Sequence, residues 1–276
     1  MTKLPLAPAV VFNLVRELRK SSGSRKPLVV AGARELADAL RRELVRDGDA
    51  SALRAGGVDG AAALVYVLAH ELTRDDERTL RDADSAGVPI VVLGPDPATP
   101  IPYVLATDVL PLRAGEGFPL DDLATLLGGK LDEEATQLAA RLPVLRRGIC
   151  NALISRVARQ NGILGAAIFV PGADFPVLTV NQLRLVLRLA LAHGQEIDAQ
   201  RAPEILGVIG GGLGFRAVAR QALSAVPVAG WAVKGAIAYT GTRALGEAAL
   251  RYFEGRAAAA SSGGGPELGA SRADRP

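Results

Sequence analysis

A single cysteine, Cys150, excludes an internal disulfide and any cysteine-based metal cluster. Two histidines, His70 and His193, are too few for a histidine cluster, so no metal site is expected. Aromatic residues make up only 4% of the chain while apolar residues make up 49%, so the core has to rest on Ala, Val, Leu and Ile. Neither sign of charge dominates: 32 Lys and Arg stand against 29 Asp and Glu, and a net charge of +3 does not point to nucleic acid. Long apolar runs are missing too. The longest stretch without a charged residue is Gln160–Ala173, 14 residues interrupted by Asn161, Gly162, Pro171 and Gly172. A spanning helix needs roughly 20 apolar residues, so none is expected even though the mean hydropathy, +0.22, is high. Shallow membrane contact stays open. The start, MTKLPLAPAVVFNLVRELRK, alternates apolar and basic residues without a small-residue cleavage site, and no secretory signal is read there.

A further absence concerns phosphate. The stretch KPLVVAGARELADALRREL (Lys26–Leu44) reads as a strand, turn and helix that could open a nucleotide-binding domain. A phosphate loop there needs Gly-x-x-x-x-Gly-Lys-[Ser/Thr]: glycines so that N–H groups can close on the phosphates, a lysine for charge and a hydroxyl for magnesium. With Gly32 as the first glycine, the other positions are Ala37, Asp38 and Ala39. The glycine, lysine and hydroxyl are all replaced, and a carboxylate stands where phosphate charge would be.

What is present divides into two parts. Residues 1–25 hold an amphipathic helix over 8–20, with Val11, Leu14, Val15 and Leu18 on one face, and a linker. Residues 26–130 alternate strands and helices: strands at Leu28–Ala31, Ala62–Ala69, Val88–Gly94 and Pro102–Thr107, and helices at Arg34–Val45, Thr73–Gly87 and near Leu120–Leu127. Thr73 and Asp76 have capping-box spacing, and Gly87 is the stop. Between them Arg46–Gly60 is loop-rich, with room for only a stub of strand. This alternation predicts parallel crossovers and a small layered α/β domain, Rossmann-like in order. Residues 131–255 read as all-α, with Pro143 as a kink, Thr179 and Gln182 as a capping box, and Gly194 as a stop. Residues 256–276 are low-complexity and read as a disordered tail.

Small residues recur at helical spacing in the second part: Gly207 with Gly211, Gly210 with Gly214, and the row Gly235, Ala238, Thr242, Gly246. Such rows let two backbones approach, either within the chain or against lipid or a partner, and both readings stay open. GVIGGGLG has neither the preceding strand nor the following Lys-Ser of a phosphate loop. The pairs Arg184 with Arg188 and Arg216 with Arg220 sit one turn apart in apolar helices. They either pair with Glu196, Asp198, Glu204 or Glu247, or face lipid headgroups or an acidic partner. Trp231 and Lys234 have the character of a membrane-interface pair. His193 reads as a C-terminal capping side chain and Cys150 as an inert core residue.

The run from about Ile163 to Gly255 resembles the helical family catalogued as domain of unknown function 697. The likeness rests on Gln182, Arg184, the GQE at Gly194–Glu196, the glycine cluster, VPVAGWAVKGAIAY and GTRALGEAA. That family occurs in bacterial inner-membrane proteins and beside Era-like small-GTPase domains, so the resemblance implies a helical fold and membrane association, and no reaction. The first half is similar, more distantly, to such a GTPase domain without its switch I region. In that register the guanine-specific Asn-Lys-x-Asp reads Gly94, Pro95, Asp96, Pro97, and the switch II DxxG has no counterpart before Leu64. Phosphate, magnesium and base determinants are all missing, which leaves GTP hydrolysis without visible means.

The expectation is therefore a non-catalytic pseudo-GTPase domain coupled to a helical module that meets a membrane or a protein partner. No catalytic, cofactor-binding or metal-binding residue is assigned, and no cofactor and no nucleic acid is expected. Self-association into a homo-oligomer through the Gly-rich helices is open. The location expected is the cytoplasmic side of a membrane, or otherwise the cytoplasm. The alternatives are a soluble helical oligomerisation or partner-binding module, and a protein that retains nucleotide binding.

Overall fold

The computed structural model describes residues 8–21, 25–94, 100–113, 115–167, 175–195 and 231–262. The elements are α1 (Pro8–Ser21), β1 (Leu28–Gly32), α2 (Arg34–Leu44), β2 (Leu53–Arg54), β3 (Ala63–Val67), α3 (Arg74–Ser85), β4 (Ile90–Gly94), β5 (Val109–Pro111), α4 (Leu120–Lys130), α5 (Glu133–Arg141), α6 (Pro143–Ala167), α7 (Phe175–Ala192) and α8 (Trp231–Ser262). The five strands form one parallel sheet in the order β2-β1-β3-β4-β5. An α/β part followed by a mostly helical part is thus the architecture.

Every residue of β3 and β4 is buried, which is why these strands read as unbroken apolar runs without alternation. Leu28, Val30, Val65, Val67, Val91 and Leu93 face one side and meet Leu40 and Leu44 of α2 and Leu123 and Leu127 of α4. Val29, Leu64, Tyr66, Ile90 and Val92 face the other and meet Leu80 and Ala83 of α3. The first of these layers continues without a break into Leu138, Leu145, Ile149, Leu187 and Phe253, so the sheet and the helices share one core. Polar ties reinforce the seam. The Asp49 N–H donates to the Arg141 carbonyl at 2.8 Å, and Arg141 Nε donates back to Asp49 Oδ2 at 3.0 Å. Hydrogen bonds from Ser51 and then Arg141 hold the Asp49 carboxyl well below the usual range, at about 2.

Four local expectations are corrected. No strand occupies Pro102–Thr107. Pro102 has no N–H for a ladder, Tyr103 has φ +67, and the stretch ends in a 3₁₀ turn, Ala106–Asp108. The last strand follows it at Val109–Pro111, against β4. Pro143 is not a kink: the helix breaks at Leu142 (φ −121, ψ 86), and Pro143 opens α6, where its missing N–H costs no hydrogen bond. Helix α7 starts at Phe175, so Thr179 and Gln182 lie inside it and not at its N-terminal boundary. Helix α8 runs to Ser262, beyond the boundary expected at 255. By contrast the Thr73–Asp76 capping box is formed in both directions, and Gly87, with φ +65, ends that helix.

Candidate functional site

In an open parallel sheet a ligand binds beyond the carboxyl ends of the strands, where the strand order reverses. Here that point lies between β1 and β3. Gly32 ends β1 with φ +105, and a Cβ there would overlap the Val67 carbonyl oxygen, so the end of β1 lies tight against the end of β3. The next residue, Ala33, donates its N–H to that same carbonyl at 2.8 Å, and α2 begins at Arg34. A single residue thus separates strand from helix. The positions that would complete a phosphate loop, Ala37, Asp38 and Ala39, lie on α2 itself. Ala37 is buried in the core, and Asp38 pairs with Arg41, which also donates to the Val30 carbonyl at 2.9 Å. Glu35 occupies the first turn of α2, where its charge offsets the helix dipole that a phosphate would otherwise meet. Gly94, which the resemblance would align with the first position of the guanine-specific motif, accepts at its carbonyl from Leu112 N at 2.7 Å; Pro95, Asp96 and Pro97 lie outside the described residues.

Beside this closed point a groove of about 620 Å³ runs along α2, lined by Leu36, Ala39, Leu68, Leu112 and Phe118 with the Glu43 carboxylate. Its cation, Arg113, is 3.6 Å from Glu116. A largely apolar wall with a single guanidinium, already beside a carboxylate, offers a polyphosphate too few donors. On the other face of the sheet, Tyr66 Oη donates to Asp76 Oδ1 at 2.5 Å, while the N–H and hydroxyl of Thr73 donate to Asp76 Oδ2 at 2.8 and 2.7 Å. Burial, then the Asp76 carboxylate, pushes the Tyr66 phenol above its ordinary range. The Asp76 carboxyl stays below its ordinary value because the bonds from Tyr66 and Thr73 outweigh its desolvation. These groups hold a helix start in place, and the phenol is a donor, not a base.

The helical part carries a polar knot that the sequence did not announce. Asn161 and Thr242 are fully buried. Asn161 Nδ2 donates to Thr242 Oγ1 at 2.9 Å, Gln182 Nε2 donates to the same oxygen at 3.1 Å, and Asn181 Nδ2 donates to Asn161 Oδ1 at 2.8 Å. The knot ties α6, α7 and α8 together at one level. Around it the small-residue row of α8 is used inside the chain. A Cβ on Gly235 would lie 2.8 Å from the Gly162 carbonyl oxygen, and one on Gly165 would lie 2.8 Å from the Ala238 Cβ. Gly207, Gly210, Gly211, Gly214, Arg216 and Arg220 lie outside the described residues.

The arginine partners differ from those expected. Arg184 pairs with Glu17 of α1, and Arg188 with Asp132 at the start of α5, while Glu247 pairs with Arg243; Glu196, Asp198 and Glu204 lie outside the described residues. Burial pushes the Cys150 thiol up to about 12, the signature of an inert core cysteine. A ring nitrogen of His193 sits 2.8 Å from the Leu189 carbonyl at the end of α7, as a capping side chain does. Among the described residues no group of three or more His, Cys, Asp or Glu side chains is gathered to hold a metal ion, and no helix is long and apolar enough to cross a membrane. Lys234 is half-buried on the first turn of α8, which Trp231 opens. Compared with protein-family models, with curated proteins and with solved structures, the chain matches none.

Proposed function

We propose that this chain is a non-catalytic scaffold: a pseudo-GTPase unit coupled to a helical module that meets a membrane surface or a protein partner on the cytoplasmic side. The observation that carries the reading is the closure of the sheet's switch point, where the Ala33 N–H is spent on Val67 and Gly32 leaves no ring of backbone donors for a phosphate. A doubly wound sheet stripped of its site survives as a platform, and function then lives in its surfaces.

The small residues of α8 face α6, so they are not the contact surface. Three of the six exposed large apolar side chains among the described residues lie in the helical part: Ile163 near the end of α6, Val177 in the first turn of α7 and Val233 in the first turn of α8 are 70%, 44% and 46% exposed. All three lie beyond the Asn161–Thr242 knot toward one end of the bundle, which supports that end as the contact. Titration of the full chain with fluorescent GTP and ATP analogues and Mg²⁺ tests the reading. No saturable signal is expected; saturation at micromolar nucleotide would overturn it.

A further inference from the structure

A second concavity, about 450 Å³, opens between α1, α5, α6 and α7, and its wall carries three guanidinium groups, Arg156, Arg184 and Arg188, with the amides of Gln160 and Asn181. Two of the three are locked. The Arg188 side chain is 9% exposed and donates to Thr136 Oγ1 and Asp132 Oδ1, each at 3.2 Å, and to the Asp132 carbonyl. Arg156 donates to the carbonyls of Gly128 and Leu131 at 3.2 and 3.3 Å, to that of Gly129, and to Asp132 Oδ1 at 3.4 Å.

Arg184 is different. Among the described residues its bonds run from one nitrogen, Nη2, shared between both oxygens of Glu17 at 3.1 Å each, with the two side chains 40% and 57% exposed. A guanidinium presents five donors in a planar fork suited to two acceptor oxygens, and one nitrogen split between two oxygens uses little of it. An ion pair this exposed is weak and screened by salt. Two of the groove's three carboxylates, Asp132 and Glu133, stand at the Arg188 end, one turn of α7 away, and the third is Glu17 itself. At the other end Arg184 is joined by Gln160 and Asn181.

We propose that this end of the groove binds the oxyanion of a phosphate monoester, with Arg184 as its principal donor and Glu17 as an intramolecular carboxylate that occupies Arg184 when the ligand is absent. Helix α1 stays docked through Leu14, Val15 and Leu18, and the ligand competes with the Glu17 side chain alone. The site stands on its own geometry and does not depend on the pseudo-GTPase reading.

Calorimetric titration of the full chain with phenyl phosphate, and flotation with vesicles containing phosphatidic acid, are the tests. Binding is expected to at least one probe, and the one that binds identifies a free ester or a lipid headgroup as the source. Glu17→Gln should tighten it about two- to fivefold, the range an exposed ion pair is worth. Arg184→Gln should abolish it, and Arg184→Lys, which keeps the charge without the fork, should weaken it and serves if the Gln variant does not fold. Arg243→Gln, whose residue pairs with Glu247 on α8, should leave binding unchanged. Absence of saturable binding to both probes by the Glu17→Gln variant, or binding by a folded Arg184 variant equal to wild type, would overturn the proposal.

Discussion

His193 is a buried side chain whose ionisation the fold opposes. Burial lowers its pKa below the ordinary 6.5, the bond to the Leu189 carbonyl partly opposes that, Arg146 lowers it further and Glu254 raises it. The imidazole lies 5.6 Å from the Phe253 ring, in surroundings that disfavour its charged form. Protonation therefore favours the unfolded chain, so this contribution is complete above the unfolded pKa and is lost as pH falls from about 6.5 through the folded value. Urea midpoints measured at pH 7.5 and pH 5 should differ more in the wild type than in His193→Gln, and equal differences would contradict the assignment. The capping role of His193 and the inert burial of Cys150 were legible because each follows from position on an apolar helix. The Arg184 and Arg188 partners were not, because Glu17 and Asp132 lie 167 and 56 residues away, a distance that spacing rules do not reach.

At the scale of elements, the helical part is held by close approach and by one buried polar knot. Glycine and alanine let α6 and α8 meet backbone to backbone, which leaves no room for side-chain wedges and puts the burden of register on Asn161, Gln182 and Thr242. Thr242→Val keeps the shape and removes the acceptor that the buried Asn161 amide and the half-buried Gln182 amide share. It should cost about 1–3 kcal/mol in urea unfolding, the desolvation penalty of donors left unpaired. A change within a few tenths of a kcal/mol would mean the knot is not satisfied as described. The sequence named the small-residue row but not what it faces, since Gly235 on lipid and Gly235 on Gly162 have the same spacing. The misread strand at Pro102–Thr107 has a similar cause. Val104 and Leu105 look like strand residues, but Pro102 and the left-handed Tyr103 turn the chain before it can join β4.

At the scale of the molecule, one core runs from β3 and β4 through α4 and α6 to Phe253. Leu123 and Leu127 of α4, in the α/β part, are fully buried in this core, so cutting near residue 130 would uncover them. The sheet is therefore a platform to which the helices are joined, and the order of its elements was readable because buried parallel strands leave unbroken apolar runs. The closure at β1 was half readable. The lack of a phosphate-loop lysine and hydroxyl was plain in the sequence, whereas the bond from Ala33 to Val67 depends on β1 and β3 lying side by side. The most direct test is amide hydrogen exchange at Ala33 in the full chain, with and without millimolar MgGTP. The account predicts a protected Ala33 N–H, bonded to Val67, whose exchange nucleotide does not change. Rapid exchange at Ala33, or protection that appears only with nucleotide, would contradict it.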